Sequence, residues 1–159
     1  MEKIATIKTW AEADDRLREG FVRLNRAWIE RYFKIEPCDE RIFANPGGIV
    51  DGGGEIFIAA VGQTAAGCCA LVDHGDGRYE LAKMAVDPAF QHRHLGRQLG
   101  DAVVAEARRR GARKLFLEAN TALEASVALY RRLGFEKAEC SRPAYGRCNL
   151  YMELNNNLL

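Results

Sequence analysis

The 159 residues of this chain suffice for one compact domain with its own hydrophobic core. Hydrophobic residues make up 48% and charged residues 28%, as in ordinary soluble globular proteins, and the formal net charge is only +1. This balance gives no electrostatic reason to expect a nucleic acid or an anionic membrane as partner. Apolar runs are shorter than the roughly 20 residues of a membrane helix, and no signal-peptide pattern is visible. We therefore expect a single cytoplasmic domain over residues 1–159.

The cysteines and histidines show no metal-site spacing. The five cysteines form no CxxC pair, which predicts reduced thiols rather than a disulfide framework or a zinc site. His92 and His94 are two residues apart, but no cysteine or carboxylate cluster completes a ligand set. His74 falls in a turn and is expected to be exposed. We predict no bound metal.

The first third of the chain is predicted to contain a strand and helices. Weak alternation over residues 3–8 indicates a strand, and Asp14 or Asp15 can cap a following helix. Gly20 leaves open whether this is one helix or two, and Pro37 is expected to end it. Residues 39–44 suggest a short second helix. Five apolar or aromatic residues share one face of the first helix: Leu17, Phe21, Leu24, Trp28 and Tyr32.

Three strands follow, at Glu55–Val61, residues 66–73 and Arg78–Val86. Short glycine-rich turns separate them, after a glycine-rich turn at residues 51–54, which indicates an antiparallel meander.

The pattern then changes to a helix from Leu95 that ends at Gly111, with three arginines in its last turn. A short strand at Lys114–Ala119, a helix over residues 123–133 and strands over 135–140 and 148–154 complete the chain. A βαβ-like unit after a meander predicts an α+β fold with a mixed, mostly antiparallel sheet.

Residues 84–97 carry the clearest binding signal. A strand leads into a tight loop, and the loop runs directly into a helix, whose first turn offers unpaired N–H groups and the positive end of the helix dipole. A helix start of this kind binds phosphate groups. Arg93 and Arg97 add positive charge, and Gly96 allows a ligand to approach the backbone closely. An ordinary polar helix start fits the spacing equally well.

These residues resemble the acetyl-CoA signature of the GNAT N-acetyltransferase superfamily. The resemblance rests on residues 80–88, on Gln91 with Gly96 five positions later, and on residues 117–120 and 129–135, which end in Gly-Phe. Two positions depart from the family pattern. His94 stands where a glycine is usual, and histidine tolerates left-handed backbone angles better than most residues. Leu123 stands where the family often has an asparagine.

The resemblance implies a splayed central strand pair, with the pantetheine arm of acetyl-CoA in the gap and the pyrophosphate on the loop amides. It implies the following coenzyme-binding residues: Met84, Ala85, Val86, Gln91, His92, Arg93, His94, Leu95, Gly96, Arg97 and Asn120.

The resemblance also implies candidates for proton transfer. Tyr130 matches the family tyrosine near the coenzyme sulfur and is the candidate general acid; a packing tyrosine is the alternative. Even spacing places Glu80, Ala82 and Met84 on one strand face, so Glu80 is a candidate base, with a salt-bridged strand carboxylate as the alternative. Glu118 is a weaker second candidate.

The acceptor site is expected between the first helices and the last strands, as in the family. Asn25, Trp28 and Tyr32 are the predicted acceptor-binding residues, although Trp28 and Tyr32 also fit a core-facing stripe. Other residues of this region are Glu36, Tyr145 and Asn149. The acceptor is an unidentified amine, and a homodimer is a further expectation.

The function predicted from these observations is N-acetyl transfer from acetyl-CoA to a primary amine, by direct attack in a ternary complex. A non-catalytic acyl-CoA-binding or sensor module would keep the loop without needing Tyr130 and Glu80. A doubly wound nucleotide-binding fold is disfavoured by the meander before the loop.

Overall fold

The computed structural model describes residues 4–140 and 142–159, so Lys3 of the predicted first strand lies outside the described residues. Two short 3-10 turns, Pro88–Phe90 and Asn156–Leu158, accompany the regular elements. The elements, in chain order, are β1 (Thr6–Thr9), α1 (Asp15–Tyr32), α2 (Pro37–Ala44), α3 (Gly48–Asp51), β2 (Glu55–Val61), β3 (Thr64–Asp73), β4 (Arg78–Val86), α4 (Leu95–Arg109), β5 (Lys114–Ala119), α5 (Glu124–Leu133), β6 (Phe135–Ala138) and β7 (Leu150–Leu154).

The strands of the described chain form one sheet in the order β1-β2-β3-β4-β5-β7-β6. Neighbouring strands are antiparallel except β4 and β5, which are parallel and joined through α4. A parallel pair needs such a crossover, because the chain must return to the same end of the sheet. The predicted α+β fold with a mixed, mostly antiparallel sheet is confirmed.

The parallel pair separates after three residues. Arg78–Glu80 of β4 pair with Lys114–Phe116 of β5, and no pairing continues beyond them. On its other edge, β5 pairs with β7 from Phe116 to Ala119. The far halves of β4 and β5 therefore lie apart, as the resemblance to the family implied, and the gap lies at the middle of the sheet.

A β-bulge lies in β4 beside this gap. Lys83 and Met84 together oppose the single residue Cys69 of β3, and Lys83 has a left-handed backbone with φ of 55°. A bulge of this kind inserts one extra residue into a strand and so reverses the alternation of side chains beyond it.

The bulge makes one sequence prediction wrong. Glu80 and Ala82 pair with β3 residues on the face covered by α1, but Met84 packs with the cluster on the opposite face, which α4 covers. Even spacing had placed all three on one face. The prediction failed because it assumed an unbroken pleat between Ala82 and Met84.

The helix α1 is continuous through Gly20 and packs on the sheet at that point. A Cβ atom added to Gly20 would lie 2.3 Å from the Cβ of Ala65 in β3, so glycine here permits close approach of the helix to the sheet. Asp14 caps the helix by accepting a 2.9 Å hydrogen bond from the backbone N–H of Leu17.

Pro37 begins α2 rather than ending α1, which stops at Tyr32. Proline suits the first helical position because its missing N–H would have no partner there. A capping box between Glu36 and Asp39 completes this helix start. The helix α3 ends at Asp51, where the sequence predicted only the beginning of a turn. In the part of the chain that the structure describes, no helix combines the length and the apolar character needed to cross a bilayer.

Candidate functional site

The loop after β4 leads into the N-terminus of α4, as predicted. Asp87 accepts a 2.9 Å hydrogen bond from the N–H of Ala89 and so starts the short 3-10 turn. His92 and His94 then take left-handed backbone angles, with φ of 64° and 60°, and α4 begins at Leu95 with His94 as its N-cap. Histidine therefore supports the turn at the position where the family usually has glycine.

The helix start presents the features of an anion site. The first N–H groups of an α-helix have no partner within the helix and carry the positive end of its dipole. Leu95 is buried, so only its backbone can reach a ligand in the loop. Gly96 permits close approach of α5, because an added Cβ would lie 2.9 Å from Cδ2 of Leu129.

The two arginines of the loop already contact protein groups. The Nε of Arg97 lies 3.1 Å from Oδ1 of Asp101, and its Nη1 donates to the backbone carbonyl of Arg132 at 3.3 Å. The guanidinium of Arg93 lies over the ring of Phe90, 5.3 Å from its centroid. Any phosphate contact from Arg97 must therefore compete with these partners.

A cavity opens at the gap between β4 and β5, and we call it the splay cavity. It gathers six predicted site residues: Asn25, Trp28, Glu80, Met84, Asn120 and Tyr130. Glu118 and Tyr145, which the sequence offered as weaker candidates, also line it, as do Lys83, Ser126, Arg147 and Cys148. The structure thus brings the candidate base, the candidate acid and part of the candidate acceptor site to one place.

Tyr32 does not line the splay cavity, and the acceptor role predicted for it is not supported. It is the last residue of α1, 39% of its surface is exposed, and its ring packs edge-on against Trp28 at 5.1 Å. The core alternative for Tyr32 is wrong, because the residue is exposed, whereas its acceptor role stays a prediction. Helical periodicity alone does not show where a helix extends past the sheet on which it packs.

Asn25 is a buried polar residue with protein partners. It is 1% exposed, and its Nδ2 donates to the carbonyl of Phe21 at 2.8 Å and to Sγ of Cys68 at 3.3 Å. These contacts tie α1 to β3. Burial raises the pKa of the Cys68 thiol to about 12, so this thiol stays protonated.

Glu80 pairs with His74 at the start of β4. The Nε2 of His74 lies 2.9 Å from Oε1 of Glu80, and this hydrogen bond raises the pKa of His74. His74 also packs against the ring of Phe116 at 5.2 Å. The expected exposed turn histidine is therefore a half-exposed partner of the candidate base.

Glu118 is a second carboxylate on the same face. Phe116 pairs in register with Glu80, so Glu118, two residues further along β5, faces the same side of the sheet. Burial raises the pKa of Glu118, the charge of Glu80 adds to this effect, and the backbone N–H of Tyr145 opposes it by donating to Glu118 at 3.2 Å.

Tyr130 reaches the cavity from α5. Burial raises its pKa because the phenolate would be poorly solvated there. Its ring contacts Phe135 edge-on at 6.3 Å. The phenol is therefore held neutral and can donate a proton.

Asn120 joins the end of β5 to neighbouring loops. Its Nδ2 donates to the carbonyl of Arg147 at 2.8 Å, and its Oδ1 accepts from the N–H of Ala122 at 2.8 Å. Asn149, in the same region, bonds Thr121 through its side chain. Both ends of the Asn120 amide therefore have protein partners.

Sequence reasoning missed an ionic cluster formed by Lys83, Asp39, Arg147 and Glu36, of which Lys83 and Asp39 are buried. Lys83 pairs with Asp39, from which it is 44 residues distant, and Arg147 donates two 2.8 Å hydrogen bonds to Asp39. Burial would raise the pKa of Asp39, but the hydrogen bonds from Arg147 and Lys83 hold it well below its usual range. No local spacing signals a pairing between residues so far apart in sequence.

Metal ligation finds no support in residues 4–140 and 142–159. They contain no group of three or more histidine, cysteine, aspartate or glutamate side chains placed to hold an ion.

Comparison with known proteins identifies the family. The model of the acetyltransferase (GNAT) family matches residues 12–135. The chain belongs to the acetyltransferase (GNAT) family.

The similar proteins include enzymes and solved structures. The ribosomal protein bS18-alanine N-acetyltransferase of Salmonella typhimurium is 43% identical over 65 residues, which is 41% of this chain and 44% of that protein. The chain therefore spans less than half the length of the curated relatives that it matches first.

Two solved structures show the same fold. A GNAT-family acetyltransferase from Staphylococcus aureus has a TM-score of 0.82 at 19% identity, covering 94% of this chain and 99% of that one. The Bacillus subtilis acetyltransferase in complex with CoA has a TM-score of 0.66 at 18% identity, covering 95% and 98%.

Proposed function

We propose that this chain is an N-acetyltransferase that moves an acetyl group from acetyl-CoA to a primary amine, within a single domain. The observation that carries the proposal is the position of Met84. It lines the splay cavity, and its Sδ lies 3.8 Å from the place where a Cβ of Gly96 would be. One residue thus connects the candidate phosphate loop to the candidate reaction chamber.

The donor site consists of the loop and the far half of β4. The pyrophosphate would bind the amides of residues 91–97, where the helix dipole favours an anion. The pantetheine arm would lie in the gap, along the backbone of Met84, Ala85 and Val86. The Bacillus subtilis neighbour, solved with CoA, supports coenzyme A as the ligand for this fold.

The acceptor amine would enter from the α1 face. Glu80 and Glu118 both present carboxylates there, and a carboxylate attracts an ammonium group. Trp28 offers an apolar surface beside them. The cationic side chains of the cavity are already neutralised, because Lys83 pairs with Asp39 and Arg147 pairs with Asp39 and Glu36.

The reaction would proceed by direct attack. The amine nitrogen bonds to the thioester carbonyl carbon, and the carbonyl oxygen becomes an oxyanion that a backbone N–H of Met84 can stabilise. The carbon–sulfur bond then breaks. The ammonium group first loses one proton to water and becomes the free amine. Glu80 takes a second proton from the nitrogen as the new bond forms, and Tyr130 gives its proton to the departing thiolate, which leaves as CoA thiol. The Tyr130 phenolate then regains a proton from water. Most of the rate enhancement comes from holding both reactants together.

Glu80 is the proposed base because it has a proton partner with access to solvent. His74 hydrogen bonds Glu80 and is 39% exposed on its side chain, so His74 can release a proton to water and then take the proton that Glu80 has accepted. Glu118 is the second candidate for the general base. Its pKa is raised towards neutral pH, and a general base works best when its pKa lies near the pH of the reaction.

The acceptor would be an amine on a small molecule or peptide. The Salmonella typhimurium relative acts on an alanine of a ribosomal protein, which supports a peptide amine among the substances to be tried.

Calorimetric titration tests the donor half of the proposal. The protein should bind acetyl-CoA and free CoA and should not bind NAD. Absence of coenzyme A binding would contradict the proposal. Binding without turnover over a broad amine panel would instead favour a non-catalytic acyl-CoA sensor of the same fold.

A further inference from the structure

Lys83 combines two features that each cost free energy. Its backbone is left-handed although it carries a side chain, which L-residues avoid because Cβ approaches the carbonyl oxygen. Its ammonium group is also buried, with the side chain only 3% exposed, and a buried charge is costly unless it is paired. Such features persist only where the surrounding structure enforces them, and they are often found at functional sites.

An ion pair, two aromatic rings and a backbone hydrogen bond hold Lys83 in its buried, left-handed conformation. Asp39 of α2, which is fully buried, pairs with the ammonium group. The ring of Tyr145 lies 4.5 Å from Nζ, and the ring of Phe43 lies 5.7 Å away. The carbonyl of Lys83 is 3.6 Å from Sγ of Cys68, which donates to it.

Arg147 holds the partners of Lys83 in turn. It donates to both oxygens of Asp39 and to Glu36 at 3.0 Å, and its guanidinium lies 4.4 Å from the ring of Tyr145. The Tyr145 ring thus has cation contacts from both Lys83 and Arg147. The bulge of β4 is thereby fastened to α2 and to the segment before β7.

We propose that Lys83 is a positioning residue, whose buried pair with Asp39 fixes the bulge so that the backbone N–H of Met84 points at the thioester carbonyl. The inference rests on the proposed function. Met84 immediately follows the left-handed residue, so the backbone angles of Lys83 set the direction of the next peptide group. A regular strand at this point would direct that group into the ladder with β3.

The test is carbon-13 NMR of bound [1-13C]acetyl-CoA, which reports hydrogen bonding at the carbonyl without requiring an acceptor amine. In the unaltered protein the carbonyl resonance should move downfield on binding. In Lys83→Met it should return towards the value of free acetyl-CoA, while calorimetry still shows binding within about threefold of the unaltered protein. The kcat should fall by about a hundredfold, the scale of losing one oxyanion donor, with little change in KM for acetyl-CoA.

Lys114→Met is the matched control, because Lys114 also pairs with a carboxylate, Glu153, at 3.2 Å but lies at the surface. It should leave the resonance and kcat unchanged. If Lys83→Met does not fold, Lys83→Met combined with Asp39→Leu removes both charges of the pair, and Arg147, which loses Asp39 as a partner, keeps its 3.0 Å hydrogen bond to Glu36. In this double variant the carbonyl resonance of bound acetyl-CoA should likewise return towards the value of free acetyl-CoA.

The outcomes separate the two proposals. If acetyl-CoA does not bind the unaltered protein, the proposed function fails and the positioning role fails with it. If acetyl-CoA binds but the carbonyl resonance does not move, or moves equally in the folded Lys83 variants, the positioning role alone is overturned.

Discussion

The Nε2 of His74 lies 2.9 Å from Oε1 of Glu80, which lines the splay cavity. This hydrogen bond raises the pKa of His74 above its ordinary value of about 6.5. The pair therefore links a candidate base to a side chain that reaches solvent, and it links stability to pH.

The His74–Glu80 pair should stabilise the fold at mildly acidic pH. Because the pKa of His74 is higher in the folded state, the stabilisation is present at pH 6 and disappears as pH rises through the folded-state value. Thermal unfolding of the unaltered protein and His74→Gln should differ by at most about 1 kcal/mol at pH 6, since the exposed His74 side chain is screened by water. The difference should shrink as pH rises through the folded-state pKa of His74. A difference that grows with pH would contradict this pairing.

Tyr130→Phe should lower kcat with little change in acetyl-CoA affinity. Loss of a general acid typically costs about a hundredfold or more, whereas the phenylalanine ring keeps the packing against Phe135. Because burial raises the pKa of Tyr130 above 10.0, no loss of kcat from its ionisation is expected below that pH. Tyr32→Phe, on the exposed end of α1, is the control. If acetyl-CoA affinity fell in Tyr130→Phe by the same factor as kcat, Tyr130 would have a structural role rather than the role of general acid.

The two carboxylates of the cavity can be ranked by substitution. Glu80→Gln should lower kcat by about a hundredfold, and Glu118→Gln should cost less, because only Glu80 has the His74 partner. Glu136→Gln, at the exposed position of β6 that bonds Asn155, is the control. Steady-state kinetics at saturating acetyl-CoA measures all three. The reverse order would transfer the role of base to Glu118.

His94→Gly should preserve or improve binding of acetyl-CoA. His94 sits at φ of 60°, where glycine relieves strain of about 1 kcal/mol, and no side-chain cap bond would be lost. His94→Val should weaken binding, because β-branched residues resist left-handed angles. Calorimetry on both variants measures this. Equal affinity in His94→Val would mean that the loop geometry does not control coenzyme binding.

Much of this fold was predictable because its signals are local. The bounds of β2, β4 and β5 follow from short apolar runs between turn residues, and the coenzyme loop follows from the transition of strand to helix. His94 was expected to accept a left-handed angle, and it does.

The parts that were missed depend on contacts between distant residues. The bulge at Lys83 and Met84 breaks the alternation that placed Met84 beside Glu80, and nothing in the local sequence marks it. Asp39 and Arg147, 108 residues apart, meet only because the sheet brings α2 and the last loop together. The sequence left open whether α1 runs through Gly20, and the close packing of this glycine on Ala65 is likewise a contact between distant residues.

The most direct test of acetyl transfer is a single reaction in which CoA thiol and acetylated product are both quantified. The protein is incubated with acetyl-CoA and a panel of peptides and small primary amines, each beside the matched alcohol. Amine-dependent release of thiol, equal in amount to the acetylated amine found by mass spectrometry and absent with the alcohols, is the predicted result. Tight binding of acetyl-CoA without amine-dependent thiol release over the whole panel would contradict the proposal that this chain is an N-acetyltransferase.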